Sequence, residues 1–288
     1  MKKIIIYSTL LLVGISIAAC SGKGKTVTSS SSTKTTETTS QKSTSTSSSK
    51  TLNTTSSETK DSSVATTETK TNQSQSDKTP QENQAETVLN QLTTSFPTNP
   101  LPQAILTSKT PGYLSAATTK TSDQANFRIL YYAENQAISV NDTALNDLQP
   151  IALFEKQIYS SADEAANEVA QVIDTAGSKI DLGYGITGYQ QGAAGSSYLS
   201  WQEGNWSLVV RASNVEGEVV EPLAKEVVAY LETAMLPAPQ NVGQISLAAG
   251  TSDFYQTNSV VWQQGTTVYT IQHFDAVQAV KMAVSANK

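Results

Sequence analysis

The chain has one cysteine and one histidine in 288 residues. With one cysteine no internal disulfide can form. Structural zinc sites take several Cys or His ligands, so they are excluded too. A Cys–His pair or a Ser–His–acid triad needs a base within hydrogen-bond reach of its nucleophile. The sole histidine, His273, falls at the end of a predicted strand beside Phe274 and reads as an edge or surface residue. No Gly-x-Ser-x-Gly accompanies it. Positive charge is also scarce, with 19 Lys and Arg against 25 Asp and Glu. From residue 97 onward about eighteen acids face about nine bases. Such a domain has no electrostatic footprint for nucleic acid and is repelled by anionic lipid headgroups. The longest apolar stretch falls short of the ~20 residues that a membrane-spanning helix needs.

The apolar stretch that does exist lies at the N terminus. Lys2 and Lys3 supply positive charge, Ile4 to Ile17 is mostly apolar, and small residues precede Cys20. This is the layout of a secretory signal peptide over residues 1–19. The ending Ile17-Ala18-Ala19-Cys20 resembles the lipobox of bacterial lipoproteins of the Gram-positive kind: an aliphatic residue, two small residues and Cys. The resemblance implies that the chain is cut before Cys20 and that the Cys20 thiol takes a diacylglyceryl group. The protein would then be held to the extracellular face of the cell membrane by acyl chains such as palmitate. Two chains anchor stably where one is marginal, because each buried CH₂ contributes about 0.8 kcal/mol. An ordinary cleaved signal with an incidental cysteine is the alternative.

Residues 20–80 change in character. More than half are Ser or Thr, with Val27, Leu52, Val64 and Ala65 nearly the only apolar side chains. Such a segment buries too little apolar surface to offset its ordering entropy and is expected to be disordered. As a coil it would span roughly 40–45 Å, and about 200 Å if pulled straight. That suits a stalk crossing part of a cell wall, with or without O-glycosylation.

Residues 81–288 read as a globular α+β domain, with antiparallel sheet built from hairpins and about four helices. Apolar spacing predicts helices over 81–96, 161–175, 222–235 and after Asp275, the second opened by the capping box Ser161-Ala-Asp-Glu164. Strands are predicted at 127–133, 137–140, 151–159, 197–201, 206–211, 245–248, 254–262 and 268–272. Residues 127–140 would form one hairpin. Trp201-Gln-Glu-Gly204 and Trp262-Gln-Gln-Gly265 occupy matching places in two more, each followed by a helix. This points to a degenerate ββα duplication, although common hairpin chemistry would give the same match. A break into subdomains is expected near 176–196. The segment Trp262 to Ser285 resembles the closing part of uncharacterised extracytoplasmic domains of Gram-positive bacteria, from which no activity follows.

Gly183-Tyr-Gly185-Ile-Thr-Gly188 matches Gly-x-Gly-x-x-Gly, but Tyr189-Gln-Gln-Gly192-Ala-Ala-Gly195 follows where a nucleotide fingerprint needs a helix. A glycine-rich loop or edge strand is the simpler reading. Glu216-Gly-Glu218-Val-Val-Glu221 lacks the spacing of a calcium loop and suits the positive end of the following helix. No cofactor or metal is implied. Tyr184, Tyr189 and Trp206 lie beside the glycine-rich segment. They are the candidate ligand-binding residues, on the view that aromatic faces beside a pliable backbone make a binding surface. Burial in the core is their competing role. The functional expectation is a non-enzymatic binding or interaction module of the cell envelope, anchored at Cys20. Its partner would be a cell-wall polymer, a peptide or a surface protein, and not nucleic acid. A secreted carboxylate-dependent hydrolase acting on wall glycans is the alternative.

Overall fold

The computed structural model describes residues 78–119 and 123–286. The signal segment, Cys20 and all but the last three residues of the predicted stalk lie outside them. All described elements belong to the unit Thr71–Lys288. The fold is α+β. Among the described residues a ten-stranded, mostly antiparallel sheet carries four helices.

The chain enters through α1 (Pro80–Ser95), opened by a capping box. The Thr79 side chain accepts from Glu82 N–H, and Glu82 reaches back to Thr79 N–H at 2.7 Å. Then come β1 (Tyr113–Thr118), β2 (Phe127–Glu134), β3 (Ala152–Ile158) and α2 (Ala162–Val169). They are followed by β4 (Ser178–Gly183), β5 (Ile186–Ala193), β6 (Ser196–Glu203), β7 (Trp206–Ser213) and α3 (Val220–Leu231). The chain closes with β8 (Gly243–Ala248), β9 (Asn258–Gln264), β10 (Thr267–His273) and α4 (Ala276–Ser285). The strand order is β1-β2-β3-β10-β9-β8-β7-β6-β5-β4. Only β7 and β8 run parallel, because α3 carries the chain back between them.

Side chains alternate across a strand, so one parity builds the core. On that face a run of rings crosses the sheet. Phe96 of the α1 cap stacks on Phe127 of β2, which meets Phe154 of β3, then Tyr269 of β10, Trp262 of β9 and Trp206 of β7, with centroids 4.1–6.4 Å apart. Offset and tilted pairs at these distances suit ring quadrupoles. Gly243 of β8 lies between Trp262 and Trp206 in the register. A Cβ there would sit 2.5 Å from the Trp206 ring, so the missing side chain makes the slot. The helices α1, α3 and α4 cover this face. The short α2 packs on the other, through Ala165, Val169 and Val268.

Four expectations need correction. Ala137–Val140 is not a strand paired with β2, since both edges of β2 are taken by β1 and β3. The segment instead shields β1, an outer strand of the sheet. Asn141 N–H donates to Ala116 O at 2.9 Å, Asn141 Oδ1 accepts from Thr118 N–H at 2.7 Å, and Gln84 donates to Ile138 O. Covering an edge in this way prevents unwanted strand addition. The second helix ends at Val169, not Thr175, with Ala170 left-handed at φ 52°. Beyond it the chain is drawn across the sheet, where Val172 N–H bonds Gln244 Oε1 and Gln171 bonds the carbonyls of Asn205 and Gly243. Val172 and Ile173 therefore point to solvent and form no buried stripe. The third helix begins at Val220 rather than Pro222 and stops at Leu231, leaving Met235 exposed. Finally, no break occurs at 176–196. That stretch forms β4 and β5, joined and continued by two-residue turns at Tyr184-Gly185 and Ala194-Gly195 whose residues all have positive φ. These are the conformations that type I′ turns require, and they account for Gly185 and Gly195.

The two hairpins that share the Trp-Gln-x-Gly pattern have matching local geometry, which common hairpin chemistry also gives. Gly204-Asn205 closes the β6–β7 hairpin and Gly265-Thr266 closes β9–β10. Trp201 faces Leu208 across the first as Trp262 faces Tyr269 across the second. Each hairpin leads into a core-facing helix, α3 or α4.

Candidate functional site

The three aromatic candidates do not converge. Trp206 is 5% exposed, inside the ring stack, and its Nε1–H donates to Pro237 O at 3.2 Å. Tyr184 is 67% exposed at the β4–β5 turn, with φ 53°. Tyr189 pairs with Ser200 of β6, one residue out of step with Leu199 and Trp201, so its side chain leaves the face opposite to Trp206. Neither Tyr184 nor Tyr189 lines the cleft described below. The platform expected from sequence is therefore not assembled.

His273 is fully buried, not an edge residue. Its Nδ1 accepts from Asp275 N–H at 2.9 Å, which leaves the Nε2 proton to be donated to Ile105 O at 3.1 Å. Both ring nitrogens are thus engaged and the neutral tautomer is specified. Burial is the main reason its pKa lies below the ordinary 6.5, outweighing the Ile105 carbonyl and the nearby Asp275 charge. The ring acts as a pin. Together with Gln278, whose amide donates to Ala104 O at 2.8 Å, and Ser285, whose hydroxyl accepts from Gln103 and Ala104 N–H, it fastens the segment 101–106 to β10 and α4.

That fastening holds one wall of a cleft of about 760 Å³. Leu106 to Lys109 form this wall. The first turns of α4, the loop 248–253 after β8, and Leu223 and Glu226 of α3 form the others. Local side-chain turns shape the wall. Thr107 Oγ1 accepts from Lys109 N–H at 3.0 Å, and Thr110 Oγ1 donates to Thr107 O. Lys109 Nζ lies 3.0 Å from Asp275 Oδ2, while Asp275 Oδ1 caps α4 through Gln278 N–H. Burial alone would raise the Asp275 pKa. The Gln278 N–H, Lys109 and His273 outweigh it and hold the carboxyl below its ordinary value. Glu226 and Asp253 supply negative charge and Lys281 positive charge on the same lining.

No family model matches the chain, no curated protein matches it, and no solved structure matches its fold. Function is therefore argued from the site. The cleft is lined by carboxylates, ammonium groups, hydroxyls and loop backbone together with apolar side chains such as Leu106, Leu223 and Phe274, so groups of both charge signs stand beside apolar surface. Neither histidine nor cysteine lines it, and among the described residues no group of His, Cys, Asp and Glu is arranged to hold a metal ion. Of the residues that build it, only Asp275 carried a signal in the sequence, as a helix cap. Lys109, Glu226, Asp253 and Lys281 come together from four separate segments and had none.

Proposed function

We propose that this protein is a lipid-anchored surface lipoprotein whose globular domain works as a non-enzymatic binding module of the cell envelope. The observation that carries the anchor is the Ile17-Ala18-Ala19-Cys20 ending of a signal-like segment, in register with the sole cysteine. Residues 20–80 serve as the stalk. The cleft between α3, α4 and the 106–109 wall is where the ligand sits, a wall component or peptide with both signs of charge. This reading is supported by Lys109, Lys281, Glu226 and Asp253 lining one cavity, and by the fact that the histidine beside it has no free ring nitrogen.

Cys20→Ala tests the anchor. The variant should appear in the medium or accumulate unprocessed, and a variant that stays membrane-bound and is processed like wild type overturns the reading. Retention on isolated wall material tests the module. The charge reversals Lys281→Glu and Glu226→Lys should lower retention while leaving the unfolding midpoint in place. Turnover of wall glycans that is abolished by one Glu→Gln change would establish the hydrolase alternative instead.

A further inference from the structure

The sheet has two outer strands, β1 and β4. Residues 138–141 shield β1, but Ser178, Lys179 and Asp181 of β4 are exposed. β4 pairs on one side only, with β5, as Ser178↔Gln190, Lys179↔Tyr189, Ile180↔Gly188 and Asp181↔Thr187. In an antiparallel pair, opposite residues exchange both main-chain hydrogen bonds or neither, in alternation. Residues that flank a two-residue turn are a bonded pair. Ala193 and Ser196 flank Ala194-Gly195, so Ala193 bonds β6, and by alternation so do Gln191 and Tyr189. Gly188 and Gln190 therefore bond β4, through Ile180 and Ser178. Gly183 and Ile186, which flank the other turn, give the same parity. The backbone N–H and C=O groups of Lys179 and Asp181 are left pointing outward, and no main-chain bond among the described residues engages them.

The side chains on this edge carry a pattern of their own. Lys179 and Asp181 stand on the face opposite to the core, with Ile180 between them on the core face. Neither charge belongs to an ion pair among the described residues. An edge lysine, and a register shift such as the one between Asp181 and Gly183, discourage the addition of an arbitrary strand. A second β4 meets different terms. Placed antiparallel about a twofold axis at Ile180, it sets Lys179 opposite the partner's Asp181 and Asp181 opposite the partner's Lys179. These are the positions whose backbone groups point outward, so one register makes the main-chain bonds and the opposite-charge pairs together. Slipping by one residue turns the outward groups away from each other. The neighbouring registers that keep the bonds put Lys179 opposite the partner's Lys179, or Asp181 opposite the partner's Asp181, and like charges directly opposite are unfavourable. The edge is thus complementary to itself, as a twofold interface requires.

We propose that the β4 edge is a self-association surface, through which two copies of this chain pair antiparallel about Ile180 and join their sheets into one. A single strand edge is a small interface, so the association is weak and reversible. It depends on neither the cleft nor the anchor, although an anchor at Cys20 would favour it by confining both copies to one surface.

The test is sedimentation velocity on the full-length Cys20→Ala chain at concentrations up to about 1 mM. It should behave as a monomer and dimer in reversible exchange. Lys179→Asp and Asp181→Lys are exposed changes that spare the core, and each alone should weaken the dimer by about tenfold or more. An equal mixture of the two variants should restore it, because each strand then meets one of opposite sign. Ile180→Cys in the same background should cross-link to its own copy on mild oxidation, since an unbonded antiparallel pair brings Cα atoms to about 4.5 Å, within disulfide reach. Ser178→Cys should not. A chain that stays monomeric up to about 1 mM overturns the proposal. So does a dimer untouched by both charge reversals, a mixture that fails to restore association, or cross-linking of Ser178→Cys in preference to Ile180→Cys.

Discussion

His273 makes the acid limb of the stability curve a direct report on one side chain. It is the only histidine in the chain, so between about pH 5.5 and 7 no other imidazole titrates. Unfolded, it has the ordinary pKa of 6.5. Folded, burial lowers that value. Above pH 6.5 the ring is neutral in both states and contributes no pH dependence. Below it the unfolded chain takes up a proton that the folded one refuses, so stability falls as pH falls. The slope is up to about 1.4 kcal/mol per pH unit, and it ends when the folded pKa is reached. Geometry supports the refusal, because a proton on Nδ1 would break the 2.9 Å bond from Asp275 N–H. Glu203 works in the opposite sense. Its raised pKa stabilises the fold at low pH, and that contribution is lost as pH rises from 4.5 through its folded value. The comparison is therefore between wild type and His273→Asn, in which Glu203 is common to both. Asn can still accept near the Nδ1 position but leaves Ile105 O unpaired, which costs about 1–3 kcal/mol at neutral pH. Urea unfolding followed by tryptophan fluorescence at pH 7.5, 6.5 and 5.5 should show wild type losing stability across the last step, with the variant lower but flatter. Equal slopes for the two proteins would refute the reasoning.

The other predictions concern the ring stack and its slot. Trp262 Nε1 has no hydrogen-bond partner whereas Trp206 Nε1 donates to Pro237 O, so Trp206→Phe orphans a carbonyl and Trp262→Phe does not. Trp206→Phe should be the more destabilising of the two by about 1 kcal/mol in urea unfolding, and the reverse order would show that ring volume alone governs the site. Trp262→Ala should cost about 3–5 kcal/mol, as expected of a buried ring in contact with Tyr269 and Trp206. Gly243→Ala forces a methyl to within 2.5 Å of Trp206 and should cost about 1–3 kcal/mol, with the thermal midpoint as readout. In a Trp206→Leu background the same substitution should cost much less, because the obstructing ring is gone.

Local patterns in the sequence were strong enough to specify the α+β class, the four helices and the β6–β7 and β9–β10 hairpins. Each depends on residues a few positions apart: the Ser161 and Asp275 caps, the apolar stripe Ala224-Val227-Val228, and Gly204 and Gly265 at two-residue turns. The signal segment and Cys20 anchor expected from consecutive residues lie outside the described residues. What the tertiary structure alone decided was the partner of each local piece. Residues 137–140 have strand-like composition, but β1 and β3 had already taken both edges of β2. Val172 and Ile173 continue a helical stripe, but hydrogen bonds to Gln244, Asn205 and Gly243 pull them across the sheet. Trp206 and Tyr189 look alike beside the glycines, but strand parity and register send one into the core and the other to the opposite face. The cleft joins Lys109 to Asp275 across 166 residues, and the bond that fastens its wall joins His273 to Ile105 across 168. Contacts of that span arise from strand order and helix packing, and no short-range periodicity encodes them.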